Sequence, residues 1–182
     1  MEFINKYFRY HILSLVFLLI MTSSSTADQN DARLAELFNN LRSTENIRIA
    51  SVFESKIWHI WMEHHDPEVE NAMFLGLEAL KLQLFEKAFG HFSLLIKLAP
   101  DYAEGWNKRA TVLYLMGRFN ESESDVVRTL ELEPRHFGAL SGQGLIRIAL
   151  GDWTGAIYFL ESALKINPHM HGVIMNLKYA RQ

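Results

Sequence analysis

Pro100, Pro134 and Pro168 recur at an interval of 34 residues. No other feature of this chain limits its fold as strongly. Proline stops an α-helix, because its ring removes the N–H and clashes with the preceding turn. Three such stops in phase point to a stack of equal helix–turn–helix units, not to one closed core. Registered on those prolines, unit one is 69–102, unit two 103–136 and unit three 137–170.

Other residues keep the same phase. Gly76, Ala110 and Gly144 are small residues at one offset in the first helix of each unit. Ala88, Ser122 and Ala156 are small residues at one offset in the second. Small side chains let the paired helices approach closely. Phe92, Val126 and Leu160 stand four positions later on the same helical face, where they are expected to fill the space between units. Gly117 and Gly151 suit the left-handed turn that closes a helix; unit one carries Gln83 at that offset. Asp101, with Glu104 three residues on, reads as a capping box opening the first helix of unit two.

These offsets resemble those of the tetratricopeptide repeat family over roughly residues 69–170. The residues that carry the resemblance are Leu75, Gly76, Ala79, Ala88, Phe92 and Pro100 in unit one. Unit two gives Trp106, Ala110, Leu113 and Pro134, and unit three gives Leu140, Gly144, Ala156, Leu160 and Pro168. The stretches DYAEGWNKRATVLYLMGRF (101–119) and EPRHFGALSG (133–142) are most similar to small exported alphaproteobacterial members. The resemblance implies an all-α fold: an α-solenoid of about three units with a concave face lined by the first helices.

By the same resemblance, fixed positions of each first helix face that groove. They are Met73 and Leu77 in unit one, and Asn107, Thr111 and Tyr114 in unit two. Unit three supplies Ser141, Leu145 and Ile148, and a last helix adds Met175 and Tyr179. Asn107 suits the backbone of an extended peptide, and the tyrosines offer amphipathic contact. Some relatives clamp a terminal carboxylate with basic residues. Here those positions hold Met73, Leu77, Asn107 and Ser141, so that clamp is missing. The resemblance also implies an ion pair between Arg109 and Asp125, which fixes geometry and performs no chemistry.

The segments around the repeats read separately. Residues 1–27 have the form of a signal peptide: Lys6 and Arg9, an apolar run from Ile12 to Met21, then small residues at Ser25 and Ala27. Cleavage is expected after Ala27. The chain is then exported, to the periplasm of a Gram-negative cell or otherwise secreted; an uncleaved inner-membrane anchor is the alternative. Residues 28–68 carry apolar positions at helical spacing, namely Leu34, Leu37, Phe38 and Leu41, then Ile49, Val52, Phe53, Ile57, Ile60 and Trp61. They read as a helical pair with a turn near Ser43–Thr44 that caps the solenoid at its N-terminal end. The alternative is that this pair folds into the groove. Residues 171–182 read as a C-terminal capping helix.

Composition excludes several classes of function. There is no cysteine, so disulfides, thiolate metal sites and a lipid-modified N-terminal cysteine are ruled out. A formal net charge of −3 with no basic stripe argues against nucleic acid. His59, His64 and His65 invite a metal reading, but on a helix only His59 and Glu63 share a face. GALSGQG is not a nucleophile elbow, since its order is Gly138, Ser141, Gly142, Gly144. No cofactor or metal is implied, and the chain reads as a non-enzyme. The expected function is an exported adaptor or scaffold that binds a peptide or helix of a partner protein in its groove. Its membrane contact is limited to the signal segment. The competing readings are a self-associating homo-oligomer of the cell envelope and, behind it, a metal-dependent enzyme.

Overall fold

The computed structural model describes residues 29–182, so the expected signal peptide lies outside the described residues. Among them are nine α-helices and no strand. They are α1 (Arg33–Ser43), α2 (Ile47–Met62), α3 (Pro67–Lys81), α4 (Phe85–Leu98), α5 (Ala103–Leu115), α6 (Phe119–Leu132), α7 (Phe137–Ala149), α8 (Trp153–Ile166) and α9 (His171–Ala180). The 34-residue phase is visible in the helix starts: Phe85, Phe119 and Trp153 open the second helices, and Ala103, Phe137 and His171 open α5, α7 and α9. α3 begins at Pro67, ahead of the proline-based boundary. Asp66 there accepts the Glu68 N–H at 2.8 Å and Pro67 occupies the first turn.

One turn geometry is used three times. Gln83, Gly117 and Gly151 all have positive φ, at 57°, 74° and 76°. In each turn the next N–H bonds back five residues: Leu84 to Ala79, Arg118 to Leu113 and Asp152 to Arg147, at 2.8–2.9 Å. Gln83 therefore makes the same turn as the two glycines, against the steric preference of its side chain.

Within each unit a large side chain lies over a small one. A Cβ at Gly76 would stand inside the contact distance of the Phe92 ring, and one at Gly144 inside that of Leu160. Ser122 Oγ donates to the Ala110 carbonyl at 2.7 Å, so in unit two a hydrogen bond draws the helices together. Phe92 and Leu160 thus fill space inside their own units, and Leu160 also meets α9 beyond unit three. Val126 does reach across, meeting Ala139 and Ile146 of unit three. Fully burying a side chain such as Phe92 stabilises by about 2–3 kcal/mol, so these contacts hold each pair closed.

Two expectations are corrected. Asp101 does not cap α5: Tyr102 holds the N-cap position, without a side-chain bond. Gln29 serves that helix end instead. Its Nε2 donates to the Asp101 carbonyl at 2.6 Å and its Oε1 accepts the Ala103 N–H at 3.3 Å. The α1–α2 pair also does not cover the outer side of unit one. It packs against α5, α7 and α8, along the groove-filling alternative. The reason lies in α2, whose apolar residues divide along its length: Ile57, Ile60 and Trp61 are buried, while Ile47, Ile49 and Val52 are exposed. Its aromatic end is the part that docks. The outward residues Phe74, Leu75 and Leu82 at the unit-one end remain exposed. At the other end α9 covers unit three, with Val173, Leu177 and Ala180 packed on Leu160 and Ala163.

Replacing Gln83 by Gly removes the left-handed penalty at that turn. The variant is expected to be more stable by about 1 kcal/mol in urea unfolding. An unchanged or lower midpoint would mean that the Gln83 side chain contributes as much as its backbone conformation costs.

Candidate functional site

Where the hairpin meets the repeats, the groove is built around a buried carboxylate. Glu104, on the first turn of α5, is 1% exposed. Lys108, one turn along, brings its ammonium within 2.7 Å of Oε1. Asn107 Nδ2 donates to Oε2 at 3.0 Å, and His136 Nε2 lies 2.8 Å from the same oxygen. His136 is the N-cap of α7, and its Nδ1 accepts the Ala139 N–H at 3.0 Å. That bond leaves the ring proton on Nε2, pointing at Glu104. Burial pushes the Glu104 pKa up, but Lys108 and His136 together outweigh it and hold the carboxyl below its ordinary value of 4.5.

α2 closes over this junction. The Trp61 ring stacks on His136 at 4.2 Å and 6°, and Trp58 meets His136 edge-on at 5.5 Å. Trp58 also receives Lys108 over its face at 5.3 Å and packs on Gly138, where a Cβ would come within 2.7 Å of the indole. Tyr102 donates its hydroxyl to the Trp61 carbonyl at 2.8 Å. One end of the concave face is thereby occupied by the protein itself.

Beyond Trp58 the groove stays open. A recess of about 90 Å³ lies between α5 and α7, with Asn107, Thr111 and Tyr114 on one side and Leu145 on the other. Gly138 and Gly142 line it too, and at Gly142 an added Cβ would meet nothing within 4 Å. Four expected groove residues therefore come together here. The others go elsewhere. Met73 is buried in the unit-one core and with Leu77 borders a separate recess beside Met62, His64 and Tyr102. Ser141 is half-buried on α7 and does not line the α5–α7 recess. Ile148 packs into the α7–α8–α9 core. Met175 and Tyr179 are exposed on α9, where Tyr179 meets Trp153 edge-on at 5.7 Å.

Among the described residues no group of three His, Asp or Glu is placed to hold a metal ion. His59 pairs with Glu63 at 2.8 Å, and His64 Nδ1 accepts the Asp66 N–H. The features that sequence reasoning missed are His136, Trp58 and the burial of Glu104 between Lys108 and His136. Only one local signal pointed to them: Trp58 and Trp61 lie three apart, on one face of α2.

Comparison with known proteins places this geometry. A TPR repeat-containing protein of Rhizobium etli is 33% identical over 150 residues, covering 82% of this chain and 74% of that protein. The chain belongs to the tetratricopeptide repeat family. No protein-family model matches it. The Hsp70–Hsp90 organizing protein of Triticum aestivum is 30% identical over 113 residues, but the match spans only 19% of that protein's length. Two solved tetratricopeptide structures share the fold. The TPR2B domain of yeast Sti1, in complex with an Hsp70 peptide, superposes with a TM-score of 0.61 at 23% identity, covering 64% of this chain and 98% of that one. The first TPR of Spaghetti (RPAP3), bound to an Hsp90 peptide, gives 0.63 at 19%, covering 65% and 94%.

The second tetratricopeptide unit also holds the ion pair. Arg109 Nε and Nη2 donate to the two Asp125 oxygens at 2.7 and 2.8 Å, joining α5 to α6. The guanidinium also lies over Trp106 at 5.1 Å. Asp125→Ala strands that cation and is expected to cost about 3 kcal/mol in urea unfolding, more than Asp125→Ala with Arg109→Ala together. Equal losses would show that the two charges are not coupled.

Glu104 makes folding depend on pH with a definite sign. Its folded pKa lies below its ordinary value, so its contribution is complete above 4.5 and is lost as pH falls through the folded value. Glu104→Gln is therefore expected to lower thermal stability near neutrality, with the gap to wild type closing in acid. A gap that holds constant through that window would refute the assignment.

Proposed function

We propose that this chain is a non-enzymatic interaction module, an exported adaptor or scaffold that takes an extended peptide or helix of a partner protein in the α5–α7 recess. The observation that carries the reading is the open recess itself. It is mostly apolar, has Asn107, Thr111 and Tyr114 at hand for hydrogen bonds, and has a floor cleared by Gly142. The peptide-bound state of the Sti1 and Spaghetti domains supports it. The clamp positions Met73, Leu77, Asn107 and Ser141 carry no cation, so the ligand is not a peptide held by its terminal carboxylate.

Export is part of the proposal. Residues 1–27 supply the leader, and Gln29, two residues past the expected cut, already caps α5. Among the described residues no helix is long and apolar enough to cross a membrane.

Gly142→Leu tests the groove from its floor. The side chain enters empty space and replaces a helical glycine, so the melting temperature should hold or rise. Crosslinking pull-downs with the full tagged chain should capture a partner that Gly142→Leu loses. A partner retained by the variant would move the site off the recess. The intact mass of the same purified chain reads the leader: loss of residues 1–27 is expected, and a full-length mass would restore the anchor.

A further inference from the structure

The two end helices of the solenoid are both open, and they differ in charge. α3 opens the first unit and turns Phe74 and Leu75 outward, with Leu82 just past its end; Phe74 is 61% exposed and Leu82 65%. Its charges are Glu68, Glu70 and Glu78 against Lys81 alone. α9 stands in first-helix register at the far end and turns Met175 (50% exposed) and Tyr179 (57%) outward. It contains no acidic residue, and its last turn carries Lys178. Among the described residues Lys178 has no ion pair, nor do Glu68 and Glu70; Arg181, just past α9, is held by Glu161 at 2.6 Å. The hairpin that could have covered α3 is docked on α5, α7 and α8 instead.

We propose that α3 of one molecule and α9 of another form a head-to-tail contact, an interaction surface whose occupant is a second copy of this chain. Each face has an apolar centre, and their charges are opposite. Like faces do not satisfy this: two α3 helices would set Glu68, Glu70 and Glu78 against their copies, and two α9 helices would oppose Lys178 to itself. The contact is therefore heterologous and leaves a free face at each end of every assembly. First helices already pack side by side within the chain, as α5 does on α7 and α7 on α9, so the contact repeats an internal one. α3 is about 22 Å long and α9 about 15 Å, which puts the contact at the small end of specific interfaces, on the order of 1,000 Å². Association is accordingly weak, concentration-dependent and weakened by salt. It is separate from peptide binding, because the α5–α7 recess opens elsewhere.

Sedimentation velocity on the full chain, purified as the cell delivers it, tests the contact. The average mass should rise between about 5 and 500 μM and fall back at high salt. Phe74→Glu and Met175→Glu each change an exposed residue, and melting curves check that both variants fold. Each alone should remain monomeric, having one dead face. Mixed in equal amounts they should form a dimer and stop there, because the one intact α9 meets the one intact α3. Gly142→Leu should associate like wild type. A monomeric wild type throughout the range, a monomeric mixture, or self-association of either variant alone would overturn the proposal.

Discussion

A carboxylate removed from water must be met by donors, and Glu104 determines much of what surrounds it. Its partners come from three pieces of the chain. Lys108 and Asn107 belong to α5, His136 opens α7, and the tryptophans of α2 cover the assembly from outside. Unit two is thereby tied to unit three at the helix starts, and the hairpin is seated on the joint. Without Glu104, His136 would lose the acceptor for its Nε2 proton, and Lys108 would lose the charge that holds it under Trp58. Without Trp61 the His136 ring that holds the carboxylate would lose the indole stacked on it.

The consequences for the groove follow directly. Trp58 packs on Gly138 and stops the concave face at the N-terminal end of α5 and α7. Asn107 spends one amide hydrogen on Glu104, which fixes its side chain in the wall of the recess and leaves it pre-set for a ligand. Thr111 Oγ1 donates to the Asn107 carbonyl at 3.0 Å, a second restraint on the same wall. The open part of the groove is thus lined by side chains whose positions are decided before anything binds.

How much of this could be read from the sequence depended on distance along the chain. Helix stops at the prolines, small residues at close approaches and glycines at left-handed turns are all local effects, so the repeat phase was legible. Gln83 shows that the phase outweighs the preference of a single residue. Counting along the first helices also found Asn107, Thr111, Tyr114 and Leu145. Met73, Leu77, Ser141, Ile148, Met175 and Tyr179 lie outside the α5–α7 recess: Met73 is buried in the unit-one core, and Ile148 is half-buried against α8 and α9. The Asp101–Glu104 spacing satisfies a capping box, yet Glu104 gains more from Lys108 and His136 than from its own helix end. Trp61 and His136 stand 75 positions apart, and nothing at either site announces the other. The hairpin was visible as two helices; its seat on the repeats was not.

Among the described residues no free cation lines the recess, which narrows what a ligand can be. Two positive residues stand close by on α5, and both are already neutralised: Lys108 by Glu104 and Arg109 by Asp125. A ligand carboxylate placed beside Asn107 would approach the buried negative charge of Glu104 and find no unpaired partner to offset its lost hydration. An apolar side chain entering between Tyr114 and Leu145 loses nothing of that kind, and its backbone meets polar groups at Asn107 and Thr111. On the proposed reading, the charges that assemble this groove make it a poorer seat for an acidic ligand than for an apolar one.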